Sequence, residues 1–188
     1  MIVTIGGMPG SGKSTLAKVL SEKLKLKRYY MGLIFREKAK EKGMDILAYN
    51  EYLTKHPEEE KEIDKLIIDL GKKESNFLIE SRVAHHLIPH AIKILVKIDL
   101  KVAGKRIYND LLSKKTNRDE KIYKTEKEAY EATKKRYQSE LKRYKKLYGI
   151  NISDESQYDI VLDTTNLTIQ ESIKKLSQLI KQKRAKFL

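Results

Sequence analysis

An α/β fold built on a doubly wound, five-stranded parallel sheet is what this sequence predicts, and three observations predict it. Five short apolar runs rich in β-branched residues read as buried strands. They alternate with segments whose apolar residues recur at helical spacing, the pattern of a sheet covered on both faces. A glycine-rich stretch lies between the first strand and the first helix, where folds of this kind hold phosphates. At 188 residues the chain suits a single domain with room for insertions, and it shows no repeat, low-complexity linker or domain boundary.

The elements follow in order. Ile2–Ile5 is a buried strand entering a turn at Gly6-Gly7, and the helix after it sets Leu16, Val19, Leu20 and Leu24 on one face. "KRYYMG" reads as the second strand. From Leu33 to about Lys73 the chain is helical and mostly polar, interrupted at Gly43 and at His56-Pro57; Pro57 with the acids after it marks a helix start. Asn76–Ser81 is the third strand and ends in a carboxylate. Ala91–Asp99 is the fourth, followed by the amphipathic helix "LKVAGKRIYNDLLS". Lys114–Lys121 reads as an exposed loop, and a charged helix of roughly Lys124–Tyr148 stops at Gly149. Tyr158–Thr165 is the last strand, and Thr168 with Glu171 opens the last helix as a capping box. The insertions at about 33–73 and 100–148 follow carboxyl ends of strands, above the ligand crevice of a doubly wound sheet, where a second substrate could be enclosed.

The absence of cysteine excludes disulfides and thiolate zinc sites, and four histidines give no second cluster at metal-ligand spacing. No run is apolar enough to span a membrane, and the first residues read as a strand rather than a leader, so the expected setting is the cytoplasm. The net charge of +14 comes from lysines spread from Lys13 to Lys186 and interleaved with glutamates. That mixing describes solvated helix faces, not a nucleic-acid-binding stripe, although it would steer a small anionic substrate.

Gly7-Met8-Pro9-Gly10-Ser11-Gly12-Lys13-Ser14, followed by Thr15, fits G-x-x-x-x-G-K-[ST] in its strand–helix context. Backbone N–H groups of such a loop wrap the phosphates of ATP, Lys13 would reach the β/γ-phosphates, and Ser14 would bind Mg²⁺. Glu80, at the end of an apolar strand, would act in the second shell of that metal. In a lysine-rich chain an arginine points to a need for a fixed planar fork. Of eight arginines, Arg36, Arg82, Arg106, Arg118, Arg136 and Arg143 fall above the carboxyl edge of the sheet and suggest an anion site; Arg28 and Arg184 carry no assignment. No Ser-His-Asp or Cys-His grouping is legible, and His85, His86 and His90 read as packing or surface residues.

Four stretches, "GGMPGSGKST", "YYMGLIFREKAKEKGMD", "ESRVAHHLIP" and "KRYKKLYGINISDESQYDIVLDTTNLT", resemble the archaeal-type cytidylate kinases, nucleoside monophosphate kinases of the P-loop NTPase superfamily. The resemblance covers nearly the whole chain. It implies transfer of the ATP γ-phosphate to CMP or dCMP with Mg²⁺; from the chain's own charge and hydropathy patterns neither nucleic-acid nor membrane partners are expected, and a monomer is. Arg36 and Arg82 would hold the acceptor phosphate, and Arg106 would lie near the ATP end. Arg118 would be a lid arginine, while Arg136 and Arg143 would clamp both nucleotides. Residues 1–32, 74–100 and 149–188 would form the core, 33–73 the acceptor-binding subdomain, and 101–148 the lid, its mobile tip at Lys114–Lys121. Asp64 and Lys65 could face the base. Two departures bear on base specificity: Asp110 stands where related kinases often carry a second lid arginine, and Val83 follows Arg82 where bacterial relatives have an Arg-Asp pair. Other readings are a P-loop kinase acting on AMP, UMP or a non-nucleotide acceptor, and an RNA-associated ATPase.

Overall fold

The computed structural model describes residues 1–113 and 123–185. Five strands form one parallel sheet: β1 (Ile2–Gly7), β2 (Lys27–Tyr30), β3 (Phe77–Glu80), β4 (Ile92–Lys97) and β5 (Ile160–Asp163), in the order β2-β3-β1-β4-β5. Each is short and apolar, as a strand buried on both faces must be. The chain leaves β1 toward β2 at one edge and returns through β3 and past β1 to β4 and β5, so connections from β1 and β4 diverge and the crevice at the carboxyl ends of β1, β3 and β4 is the natural ligand site.

Helices α1 (Lys13–Leu24) and α8 (Ile169–Ala185) cover one face, packing Leu16, Leu20, Leu176 and Ile180 against Val3, Ile5, Ile94 and Leu162. On the other face, α4 (Pro57–Lys73) and α5 (Ala84–Leu87) bring Ile63, Ile67 and Ala84 against Phe77 and Ile79. Tyr144 joins this second core from α7 (Glu126–Tyr148).

The expected insertion after the second strand is three helices: α2 (Met31–Glu41), α3 (Ile46–Leu53) and α4. Here β2 is shorter than "KRYYMG" suggests, because Met31 turns inward as the first residue of α2 and is buried. Pro57 opens α4 with Glu58, Glu59 and Glu60 in its first turn, acids at the positive end of the helix. The capping box is in place: Glu171 N donates to Thr168 Oγ1 at 3.2 Å and Thr168 N to Glu171 Oε2 at 2.8 Å. The fourth strand leads into α6 (Leu100–Leu112), which packs on α7 so closely that a Cβ at Gly104 would stand 2.6 Å from Tyr130 Cα. The loop expected at Lys114–Lys121 lies outside the described residues. Among those described, no helix is long and apolar enough to cross a membrane.

Candidate active site

The phosphate loop leaves β1 at Gly7, where φ is +140° and a Cβ would stand 2.1 Å from Val96 O; only glycine lets the chain pass β4 there. Gly12 caps α1 in the left-handed conformation without any side-chain hydrogen bond to the first turn. The N–H groups that open α1 therefore face the crevice uncovered by a capping side chain, which makes that end of the helix a seat for anions. Met8 N donates to Val96 O at 3.2 Å and Thr164 Oγ1 to Ser11 O at 3.0 Å, so the loop is braced by β4 and by the end of β5. Burial, and then the nearby Arg82 charge, push the Lys13 ammonium well below its ordinary pKa. A bound polyphosphate would add counter-charge to that of Glu80 and Glu140, which burial and Arg82 outweigh.

Beside the loop, Ser14 Oγ donates to Glu80 Oε1, and Arg28 Nη2 donates to Glu80 Oε2 at 3.0 Å. Glu80 is buried at the end of β3. A hydroxyl touching a carboxylate is a hard oxygen pair that suits Mg²⁺, which takes few protein ligands and completes its shell with phosphate oxygens and water.

One cleft of about 1180 Å³ joins the loop to the helices beyond it. Among the described residues, eight basic side chains line it (Lys13, Lys18, Arg28, Arg36, Arg82, Arg106, Arg136 and Arg143) against three acidic ones, Glu80, Asp110 and Glu140. A cavity with that surplus suits polyanions. Of the residues expected to bind ATP, Pro9, Gly10, Gly12, Lys13, Ser14, Thr15 and Arg106 line the cleft, whereas Gly7, Met8 and Ser11 shape the loop from behind.

The arginines differ in how they are held. Arg82 Nε stands 2.7 Å from Glu140 Oε2, its Nη1 donates to Gly7 O, and Arg136 Nε reaches Glu140 Oε1 at 3.2 Å. Burial would raise the Glu140 carboxyl, but Arg82 and Arg136 outweigh it and hold the pKa at about 2. Arg106 Nη2 donates to Thr164 O at 2.8 Å and Leu167 O at 3.2 Å, fastening α6 to the loop after β5. Arg36 Nη1 donates to Tyr30 Oη at 2.6 Å and to Gly32 O at 3.0 Å.

Arg143 borders the cleft, yet it is only 4% exposed and its Nε lies 2.7 Å from Glu60 Oε2. Its Nη1 donates to Asn50 O at 3.1 Å and Asn50 Oδ1 at 3.0 Å. In this arrangement it is a buried brace between α3, α4 and α7, with its charge already matched. Asp64 is a correction to the expected acceptor set. It does not line the cleft; it is buried on α4, where Tyr148 Oη donates to it. Asp64 sits one helical turn after Glu60, so both turn inward toward α7. Arg118 lies outside the described residues. Arg28, Tyr30, Asn50 and Tyr144, to which the sequence assigns no role, also line the cleft. Arg28 alone carried a signal, as one of few arginines in a lysine-rich chain.

A family model described as an AAA domain matches residues 3–134. The chain is 37% identical over 175 residues to a protein named cytidylate kinase from Methanocaldococcus jannaschii, covering 90% of this chain and 92% of that one. It is 37% identical over 166 residues to the cytidylate kinase of Pyrococcus furiosus, with 88% and 80% covered. Among solved structures, an uncharacterized protein from Eubacterium ventriosum superposes with a TM-score of 0.66 at 20% identity over 96% of this chain and 98% of that one. A shikimate kinase from Bacteroides thetaiotaomicron does so with a TM-score of 0.61 at 14% identity over 96% and 98%. At those identities the structural likeness speaks for the fold alone.

Proposed function

Because the chain belongs to the archaeal cytidylate kinases, we propose that it transfers the γ-phosphoryl group of ATP to CMP or dCMP, giving ADP and CDP or dCDP. The observation that carries this reading is one continuous cleft in which a phosphate loop faces a second, separate set of arginines. A hydrolase would need a seat for one polyphosphate; a second cationic seat supports a phosphorylated acceptor.

The acceptor needs no strong base. A monophosphate loses its second proton near pH 6, so an acceptor oxygen is already ionised at neutral pH. That oxygen attacks Pγ in line. As the new O–Pγ bond forms, the bond from Pγ to the β,γ-bridging oxygen breaks, and its electron pair leaves with ADP. Lys13 and the N–H groups of the loop would hold the donor phosphates, with Arg106 at that end. Arg36 and Arg82 would hold the acceptor phosphate, and Arg118 and Arg136 would balance charge on the transferring group. Arg143 serves this clamp by fixing α3 and α4 against α7. Ser14 and Glu80 would hold Mg²⁺, which supplies charge neutralisation on the phosphates when bound. Closure of the 101–148 segment over the 33–73 segment would exclude water and so protect ATP from hydrolysis. A cytoplasmic monomer fits this reading.

A coupled ADP-release assay with CMP, dCMP, UMP and AMP as acceptors tests it. CMP or dCMP should give the highest kcat/KM. Equal or better turnover with AMP would overturn the cytidylate assignment, and RNA-stimulated hydrolysis with no acceptor phosphorylated would favour an ATPase.

A further inference from the structure

Tyr30 is the last residue of β2 and lies in register with Glu80 at the carboxyl edge of the sheet. Its ring stands beside two guanidinium groups, with Arg28 Cζ 5.2 Å and Arg36 Cζ 5.7 Å from the ring centroid. These are cation–π distances, so one ring offsets part of the repulsion between two cations lining the same cleft. The two arginines have different obligations. Arg28 is committed to Glu80 at 3.0 Å. Arg36 has no carboxylate partner among the described residues, and the tyrosine hydroxyl accepts from its Nη1 at 2.6 Å.

The remaining donors of Arg36 define what the arrangement is for. Nη1 is spent on Tyr30 Oη and Gly32 O. Nε is buried without a hydrogen-bond partner, while Nη2, from which no described residue accepts, is not buried. An arginine anchored through one nitrogen, with its Nε–Nη2 edge unsatisfied, presents the planar fork that matches two oxygens of a phosphate. Residue 32 makes room for the anchor: a Cβ at Gly32 would stand 2.5 Å from Tyr30 Cε2.

We propose that Tyr30 is a positioning residue for the acceptor phosphate, holding Arg36 by its Nη1 so that the Nε–Nη2 edge meets the phosphate of the nucleoside monophosphate. It acts through Arg36 and does not touch the reacting atoms. The proposal rests on the cytidylate kinase reading of the cleft and adds to it the group that orients the acceptor arginine.

Tyr30→Phe keeps the ring and removes the anchoring oxygen; Tyr30→Ala removes both. The Phe variant should raise the KM and the calorimetric Kd for CMP about threefold to tenfold, the range expected for one lost hydrogen bond. Its kcat and the KM for ATP should stay within twofold of wild type, and the Ala variant should weaken CMP binding further. Inhibition by inorganic phosphate against CMP should weaken in parallel, while binding of cytidine, which lacks the phosphate, should not change. In an Arg36→Ala background the Tyr30→Phe effect should vanish. The proposal is overturned if wild type binds CMP and Tyr30→Phe binds it equally well, if ATP and CMP are affected alike, or if the effect persists without Arg36. Wild-type protein that neither binds nor phosphorylates CMP would overturn the functional reading itself.

Discussion

Arg82, just after β3, and Glu140, in the middle of α7, meet at 2.7 Å and tie the sheet to the long helix that returns from the insertion. The same carboxylate takes Arg136 at 3.2 Å, while Arg82 also donates to Gly7 O at the root of the phosphate loop. One buried acid thus spaces two cleft arginines and couples them to the loop.

That pairing has a pH signature. The Glu140 carboxyl lies at about 2 against an ordinary 4.5, because Arg82 and Arg136 outweigh its burial. A depressed carboxylate adds stability above its unfolded pKa and loses it as pH falls toward the folded value. Glu140→Gln should cost about 3 kcal/mol at pH 7 and flatten the loss of stability between about pH 4.5 and 2. Urea unfolding across pH 7 to 2.5 measures both, and an unchanged acid slope would assign the acid lability to other carboxylates.

Lys13 is half-buried in the cleft, no carboxylate among the described residues pairs with it directly, and its Nζ donates to Met8 O at 3.3 Å. Lys13→Ala should lower kcat by about a thousandfold, the upper range for removing one preorganised cation from a transition state. The thermal midpoint should not fall, since no ion pair among the described residues is lost with it. Activity near the wild-type level would refute its phosphate role.

Asp64 tests which acids matter to the acceptor. Burial, with some help from the Glu60 charge, pushes its carboxyl up to about 7 against the bond from Tyr148. A raised carboxylate costs stability as pH climbs from the unfolded value of about 4 through the folded one, and the cost is complete above it. Asp64→Asn should therefore gain about 1–3 kcal/mol over wild type at pH 8, with the difference closing below pH 4. The KM for CMP should stay unchanged, because the residue does not line the cleft; a tenfold rise would return Asp64 to the acceptor site.

Ser14 and Glu80 predict the metal behaviour. Chelation with EDTA should abolish turnover and added Mg²⁺ should restore it. Glu80→Gln should raise the Mg²⁺ concentration needed for half-maximal rate by about tenfold or more, the scale of a lost partner in a metal shell. Isothermal titration of Mg²⁺ into the ATP-bound protein would show the same shift without relying on rate. An unchanged Mg²⁺ requirement would remove Glu80 from the metal site.

Much of this was legible along the chain. The five strands, the loop and the capping box are each set by residues a few positions apart, and local spacing reports local structure faithfully. Element ends depart from the local pattern by a few residues for physical reasons: Met31 joins a helix because its side chain finds the core, and α7 begins at Glu126 because Thr125 caps it through the Glu128 N–H at 3.1 Å. Arg36, Arg82, Arg106 and Arg136 were marked as cleft residues by the contrast of arginine against lysine. Tyr30 and Asn50 gave no such contrast, since a tyrosine ending a strand and an asparagine in a helix are ordinary residues until something packs beside them.

The sequence by itself determined the parallel sheet, the phosphate loop at its edge and the surplus of arginine beyond it, because glycine spacing, β-branched runs and residue type act where they stand. Only the tertiary structure decided which arginine keeps a fork to offer. Arg143 is matched by Glu60 and Asn50, Arg82 shares Glu140 with Arg136, and Arg36 is held by Tyr30 with its Nε unpartnered. Glu60 and Arg143 belong to helices far apart in the chain, and no local pattern encodes that α4 and α7 bring them within 2.7 Å. A charge is available to a ligand only when the fold has not already paired it, and pairing is a property of approach in space.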